Sequence, residues 1–181
     1  GRDLYGSPRF AQILKALDET GVERLRFATS HPKDLSDEVI AQFGSLRSLM
    51  PALHLPAQSG SDRILQLMNR RYTSAHYRQL VSKLRDACPD IALSTDIIVG
   101  FPGETEKDFM DTARLVDEIG YHQVFTFIYS KREGTPAASM EDNTPHEVIQ
   151  KRFDRLVDIV QAHAFEKNQL DLGATIPVLV E

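Results

Sequence analysis

Three observations predict an α/β fold for this chain of 181 residues. Short apolar runs of strand length alternate with longer stretches whose apolar residues recur at helical spacing. Each predicted strand leads into a polar or glycine-containing loop, and serine or threonine residues are placed to cap the helices that follow. This alternation predicts parallel βα units, and we expect them to form part of a TIM-like (βα) barrel.

The first predicted strand covers residues 22–29 and has two different sides. Leu25 and Phe27 point one way and would face the core, whereas Arg24 and Arg26 point the other way. Two arginines on one side are costly to bury, so we expect this side to face solvent at an edge of the sheet. The spacing of apolar residues predicts helices before and after this strand, at 10–17 and 36–43.

The second predicted strand is ALHLPA, residues 52–57, and it leads into the loop QSGS. Ser61 is placed to cap a short helix, and Thr73 is placed to cap a longer one. Pro89 ends the longer helix, since proline cannot continue it. The apolar residues of the longer helix recur at helical spacing, at Tyr77, Leu80, Val81 and Leu84.

The central stretch of the chain is STDIIVGFPGETEKDF, residues 94–109. Its apolar run predicts a strand buried on both faces, and the glycines and proline after it predict a tight turn. Thr105, with Asp108 three residues later, predicts the start of a helix. Asp96 is a carboxylate inside an otherwise apolar strand, where burial without a partner would be costly. Either Asp96 contacts a ligand at the carboxyl ends of the strands, or it only caps a neighbouring loop.

The remaining chain contains a further strand and a long helix. The aromatic-rich residues 124–129 predict the strand, and TPHE at 144–147 predicts the start of the helix. Because parallel strands end on the same side of a sheet, the loops after the four strands would form one common mouth. These loops are residues 29–32, 58–61, 100–105 and 130–135.

Composition excludes several classes of function. A formal net charge of −5 argues against strong nonspecific nucleic-acid binding, although a local basic patch stays possible. No apolar run approaches the roughly 20 residues of a membrane span, so we expect no membrane partner. Cys88 is the single cysteine, which excludes an internal disulfide and a thiolate-ligated cluster and makes the cytoplasm the expected location. The two ends suggest a segment of a longer protein.

Few residues at the predicted mouth identify a reaction by themselves. Arg70 and Arg71 would clamp a carboxylate, or they are a solvated helix C-terminus favoured by the helix dipole. His31 and His54 have no partner at metal-ligand spacing, and His54 reads as a core histidine. Ser59 lies in QSGS, which is not a nucleophile elbow. The residues alone therefore predict a βα barrel segment whose polar mouth binds a small ligand.

The motifs taken together resemble the radical S-adenosylmethionine (SAM) methylthiotransferases. The resemblance spans essentially the whole chain and is carried, in order, by TSHP, HLPAQSGSDRIL, MNRRYT, STDIIVGFPGETEKDF and YSKREGTPAA. The most similar branch is the tRNA 2-methylthio-N6-isopentenyladenosine synthases. Branches that act on threonylcarbamoyl-adenosine in tRNA, or on a ribosomal protein, are alternatives. A hypothesis from another class is a non-catalytic tRNA-binding module whose basic patch contains Lys131, Arg132, Arg70 and Arg71.

The resemblance implies a domain organisation and a set of cofactors. Residues 1–170 would be the later part of a radical SAM barrel, and residues 171–181 would begin a TRAM domain. The cofactors would be SAM and two [4Fe–4S] clusters, whose cysteine ligands lie outside this chain. The partners would be tRNA and an electron donor, and we expect a monomer. Without the upstream C-x-x-x-C-x-x-C motif, this chain alone is expected to be inactive.

The resemblance also implies a mechanism and the residues that hold the cofactor. A reduced cluster splits SAM, and the resulting 5′-deoxyadenosyl radical takes hydrogen from C2 of a modified adenosine beside the anticodon, where the methylthio group is installed. Matched by position, the cofactor-binding residues would be Gln58, Ser59, Arg70 and Asp96, with Gly100 and Gly103 admitting the ligand and Thr29 or Ser30 as a weaker contact.

We predict that this chain forms no iron–sulfur chromophore after anaerobic reconstitution with iron and sulfide. The reason is that Cys88 alone cannot supply the thiolates that such a cluster needs. Iron content and the visible absorption spectrum after desalting measure the result. A stable brown species with stoichiometric iron would show that the cluster ligands lie within this chain.

Overall fold

The computed structural model describes residues 8–28, 31–142, 144–170 and 172–175. In this part of the chain three parallel strands form one sheet in the order β1–β2–β3. The strands are Ala52–His54 (β1), Ala92–Val99 (β2) and Gln123–Ile128 (β3). The predicted α/β class is confirmed, and the sheet is an open segment that does not close into a barrel.

Helices connect these strands and cover one side of the sheet. The α-helices are Phe10–Asp18 (α1), Asp37–Gln42 (α2), Asp62–Leu67 (α3), Ser74–Ala87 (α4), Glu106–Ile119 (α5) and His146–Leu170 (α6), and two 3-10 helices lie at Pro32–Asp34 and Pro136–Ser139. The predicted caps are confirmed, since Ser61, Thr73 and Thr105 each accept a hydrogen bond from the first turn of their helix. Within the described ranges, no helix has the length and apolar character to cross a membrane.

The two sides of β2 have different environments. Leu93, Thr95, Ile97 and Val99 are buried, whereas the alternate residues, which include Asp96, are only half-buried. The prediction that both faces of this strand are buried was therefore wrong. Helices α4, α5 and α6 pack on the first side, and no described helix covers the second side, which carries Ser94 and Asp96.

The segment predicted as a first strand follows the sheet edge without forming a regular strand. Leu25 bridges Leu49 and Ala28 bridges His54, both in parallel, and no continuous ladder joins them. The reason is that β1 is only three residues long and offers few paired groups. Arg24 and Arg26 are exposed, as predicted for a sheet edge. The last predicted residue of this strand lies outside the described residues, as does most of the predicted TRAM segment, residues 171–181.

A buried ion pair joins α6 to the loop that precedes α5. Arg152 Nη1 donates hydrogen bonds to Glu104 Oε1 and to the Glu104 main-chain carbonyl, each at 3.1 Å. Arg152 Nε donates to Glu106 at 3.1 Å, so the guanidinium has a second carboxylate. Burial raises the pKa of Glu104 to about 7, and the nearby Arg152 charge opposes this shift without cancelling it.

We predict that Glu104 makes the protein less stable as the pH rises from about 4.5 to 7. The folded state keeps a proton on Glu104 that the unfolded state has already lost, so each rise in pH in this range favours unfolding. Glu104→Gln removes this titration. The free energy of unfolding of wild type minus that of the variant should therefore fall by up to about 3 kcal/mol over this pH range.

Urea unfolding at several pH values measures this difference. Groups away from residue 104 contribute equally in both proteins and cancel in the comparison. Asp108, the other buried carboxylate nearby, has a pKa below its usual value of 3.8 and so contributes only at lower pH. A difference between wild type and variant that is constant from pH 4.5 to 7 would contradict the prediction.

Candidate active site

The chain continues along β2 after the regular part of β1 has ended. Gln58 N–H donates to the Asp96 carbonyl at 2.8 Å, and Ile98 N–H donates to the Gln58 carbonyl at 2.9 Å. These bonds place Gln58 beside the carboxyl half of β2. The carboxyl ends of parallel strands are where ligands bind in α/β folds, so Gln58 and Asp96 lie at the predicted mouth.

Three buried hydroxyl groups hold the segment between β1 and Gln58. Tyr77 and Thr95 each donate to the Leu55 carbonyl, at 2.6 and 2.9 Å. Thr95 Oγ1 also accepts the Ala57 N–H at 2.8 Å, and Tyr72 donates to the Ala57 carbonyl at 2.9 Å. Burial raises the pKa of Tyr72 to about 12 and also raises that of Tyr77, so both remain hydrogen-bond donors. We call Tyr72, Tyr77 and Thr95 the hydroxyl cluster.

Gln58 adopts a backbone conformation that is unusual for its residue type. Its φ is 65°, in the left-handed region that favours glycine and asparagine. The residue is only 7% exposed, and its side chain forms no hydrogen bond with the described residues. Strained residues of this kind cluster at functional sites, so the geometry supports a ligand-binding role for the Gln58 amide.

Asp96 has a partner on the neighbouring strand. Its Oδ2 lies 3.5 Å from His54 Nε2, and the two side chains are 29% and 28% exposed. His54 Nδ1 lies 3.0 Å from the Ser94 hydroxyl. This contact explains how the strand tolerates a carboxylate, and the remaining exposure leaves Asp96 able to accept a hydrogen bond from a ligand.

Arg70 is placed by the end of α3. The helix ends at Leu67 with Met68 as its C-cap, Asn69 follows with a φ of 55°, and Arg70 N–H donates to the Leu65 carbonyl at 2.8 Å. The Arg70 side chain is half-buried and forms no ion pair with a described carboxylate. Burial lowers the pKa of His31, and the Arg70 charge lowers it further, so these two groups lie close together. Tyr72, two residues after Arg70, is anchored beside Gln58.

Ser59 faces helix α5 rather than the candidate mouth. Its hydroxyl lies 3.0 Å from Thr112 Oγ1, which also accepts the Gly60 N–H at 3.0 Å. Gly60 approaches α5 so closely that a Cβ there would lie 2.4 Å from the Asp111 carbonyl oxygen. The structure therefore gives Ser59 and Gly60 a packing role.

The loop that contains Ser61 is fastened by a buried carboxylate of α5. Asp108 accepts hydrogen bonds from the Ser61 hydroxyl at 2.6 Å, from Thr105 N–H at 2.9 Å and from the Arg63 guanidinium. Burial alone would raise the pKa of Asp108, but these donors outweigh it and hold the pKa well below its usual range. Asp108 is a structural anion and not a proton donor at neutral pH.

The two glycines of GFPG have different surroundings. Gly100 has φ 72°, and a Cβ there would lie 2.6 Å from Ile149 Cγ2 of α6. Its N–H donates to Glu104 Oε2 at 3.3 Å. Packing of α6 is therefore sufficient reason for a glycine at position 100, while Gly103 has open space where its Cβ would be. Thr29 and Ser30, the weaker predicted contacts, lie outside the described residues.

The candidate residues lie at an open edge and not in a closed cavity. A cavity of about 600 Å³ lies among α3, α4 and α5, and one of about 520 Å³ lies at the amino ends of the strands. Neither contains Gln58, Arg70 or Asp96. Cys88 lies just before β2, at the opposite end of the sheet, and burial raises the pKa of its thiol.

The profile of the Radical SAM superfamily matches residues 1–116. The chain belongs to the radical SAM superfamily. Its fold is similar to that of the solved structure of coproporphyrinogen III oxidase from Escherichia coli, described as a radical SAM enzyme. The TM-score is 0.57 at 18% identity, covering 88% of this chain and 37% of that chain, which supports the fold assignment alone.

More similar relatives share the name tRNA-2-methylthio-N(6)-dimethylallyladenosine synthase. The protein from Clostridium botulinum is 51% identical, and that from Acetivibrio thermocellus is 49% identical, both over 100% of this radical SAM chain. A protein of the same name from Thermobifida fusca is 47% identical over 99% of the chain. The chain spans about two fifths of the length of these relatives, 37% to 40%.

The radical SAM superfamily implies SAM and a [4Fe–4S] cluster as cofactors, and the residues present fit only the first. Arg70 is half-buried and has no carboxylate partner among the described residues, which suits the methionyl carboxylate of SAM. The buried Tyr129 hydroxyl, at the end of β3, also has no hydrogen-bond partner among the described residues. The cluster does not fit, since a single cysteine at the far end of the sheet cannot ligate it.

We predict that Thr95→Val destabilises the protein more than Thr95→Ser does. Valine keeps the shape but leaves the buried Ala57 N–H without an acceptor, which costs about 1–3 kcal/mol. Serine keeps the hydroxyl and loses one methyl group, which costs about 1 kcal/mol. Urea unfolding of both variants measures the order. Equal losses would show that the Thr95 hydroxyl contributes little to holding the segment that leads to Gln58.

Proposed function

We propose that this chain is the SAM-binding part of a tRNA methylthiotransferase that modifies C2 of N6-dimethylallyladenosine next to the anticodon. The observation that supports the proposal is the backbone pairing of Gln58 with Asp96 at the carboxyl half of β2, with Arg70 two residues before Tyr72, whose hydroxyl bonds the Ala57 carbonyl. Each of the Gln58, Asp96 and Arg70 side chains has hydrogen-bonding capacity that its contacts with the described residues leave unfilled. The names of relatives about 50% identical supply the reaction and the substrate.

Each of the three residues suits a different part of SAM. Arg70 would pair with the methionyl carboxylate, because a guanidinium binds a carboxylate through two parallel hydrogen bonds. Asp96 would accept hydrogen bonds from the ribose hydroxyls or the amino group, while His54 keeps the carboxylate in place. The Gln58 amide can both donate and accept beside them. When bound with its cluster, SAM supplies the radical chemistry of the superfamily.

The alternatives differ in substrate or in class. Threonylcarbamoyl-adenosine in tRNA and a ribosomal protein remain other substrates for the same chemistry. A non-catalytic tRNA-binding module would use the basic residues of the mouth and need no cofactor. A C-x-x-x-C-x-x-C motif upstream in the full-length protein would favour an enzyme, and its absence would favour the module. The enzyme would act in the cytoplasm as a monomer and take electrons from a separate donor.

We predict that Arg70→Lys and Asp96→Asn each weaken SAM binding by about tenfold in the full-length protein. Lysine keeps the charge of Arg70 but loses the planar fork, and asparagine keeps the shape of Asp96 but loses the charge. Neither side chain is a core residue, so the melting temperature should change little. Isothermal titration calorimetry with SAM, beside a melting curve for each variant, measures the two effects separately.

Arg71→Lys is the matched control for the arginine variant. Arg71 is the next residue along the chain and is exposed, so its substitution should leave SAM affinity unchanged. If Arg70→Lys and Asp96→Asn bind SAM as wild type does, these residues are structural and the proposed cofactor site is incorrect.

A further inference from the structure

Two phenylalanine rings lie exposed on the open face of the sheet. Phe125 and Phe127 belong to the same regular strand, β3, and their exposed fractions are 42% and 51%. The residues that alternate with them include Val124 and Ile128, which pack against the core. Phenylalanine is normally among the buried residues of a sheet, and adjacent exposed rings form an apolar patch that can contact a ligand.

These rings adjoin the candidate cofactor residues. In the parallel register of β2 and β3, Phe125 is the partner of Asp96, and Phe127 is the partner of Ile98. Phe125 also meets the His54 ring edge-on, with 5.9 Å between ring centroids. Neighbouring strands lie about 4.8 Å apart, so a group that contacts Phe125 also lies within reach of the Asp96 carboxylate.

Four basic residues lie in the segments that follow α3 and β3. Arg70 and Arg71 follow α3, and Lys131 and Arg132 follow β3. None of the four forms an ion pair with a carboxylate in the described part of the chain. Exposed aromatic rings beside cations are the combination that binds single-stranded RNA, because the bases stack on the rings and the phosphates contact the cations.

From this arrangement we propose that the substrate nucleobase of the RNA stacks on Phe125 and Phe127, with its apolar N6 substituent in contact with these rings. The inference rests on the proposed function, which supplies the dimethylallyl substituent. A phenylalanine ring offers a face for the purine and an apolar surface for the alkyl group. An adenosine that has left its own stack would reach both rings, as bases do in enzymes that modify them.

Two other occupants of this face lead to different results. Another segment of protein would bury the rings in a packed interface, and the rings would then contribute to stability. The adenine of SAM would make cofactor affinity depend on the rings. One set of variants separates all three occupants, because RNA preference, cofactor affinity and melting temperature are measured independently.

The test uses Phe125→Ala and Phe127→Ala in the full-length protein. Fluorescence anisotropy measures binding to two labelled RNA stem-loops that differ in one adenosine, which carries either the N6-dimethylallyl group or none. Calorimetry gives the SAM affinity of each variant, and thermal unfolding gives its melting temperature. Phe165→Ala is the matched control, because that ring is 66% exposed on α6, away from this face.

We expect wild type to prefer the modified RNA and each variant to lose about tenfold in affinity for it. The loss for the unmodified RNA should be smaller, so the ratio of the two affinities falls toward one. SAM affinity and melting temperature should stay close to those of wild type. Phe165→Ala should change none of the four quantities.

An unchanged ratio in both variants overturns the proposal, whether neither RNA is affected or both are affected equally. A loss of SAM affinity with the RNA preference intact also overturns it and assigns the rings to the cofactor. A melting temperature lowered by several degrees with the preference intact assigns the rings to a protein interface. Failure of the wild-type protein to bind SAM contradicts the proposed function itself and is thereby distinguished from these outcomes.

Discussion

The arrangement of the candidate site depends on the hydrogen bonds that the hydroxyl cluster makes to the backbone after β1. Leu55 and Ala57 are fully buried, and their peptide groups need partners that water cannot provide. Thr95 reaches across from β2, and Tyr72 and Tyr77 reach back from the α4 region. An unsatisfied buried peptide group costs about 1–3 kcal/mol, so these contacts decide the course of the chain toward Gln58.

The hydroxyl cluster also connects two parts of the site that are distant in sequence. Gln58 follows the segment that the hydroxyls hold, and Arg70 lies two residues before Tyr72, which belongs to the cluster. The backbone on either side, at Gln58 and near Arg70, is therefore tied to the same buried segment. Under the proposed function, a SAM molecule that contacts both residues would meet backbone positions fixed before it binds, which lowers the entropic cost of binding.

Local sequence patterns predicted the helices and strands well, but they did not predict which residues contact one another across the fold. Capping residues and helical spacing found α3, α4 and α5, because these signals act within a few residues of chain. The contact between Asp96 and His54 depends on the register of two strands 40 residues apart, which no local spacing encodes. Likewise Gly100 is explained by Ile149 of a distant helix, and the buried role of Ser59 by Thr112. Which residues contact SAM remains a prediction that only binding data test.

Under the proposed function, the left-handed backbone at Gln58 would set stability against ligand binding. Glycine would adopt this conformation at lower energy, so the fold alone gives no reason for a larger side chain there. A residue held in this strained backbone conformation is a burden to the folded protein. Selection for stability alone would remove such a residue, and selection for ligand binding would retain it. A substitution at position 58 that makes the fold more stable would thus be expected to weaken ligand binding.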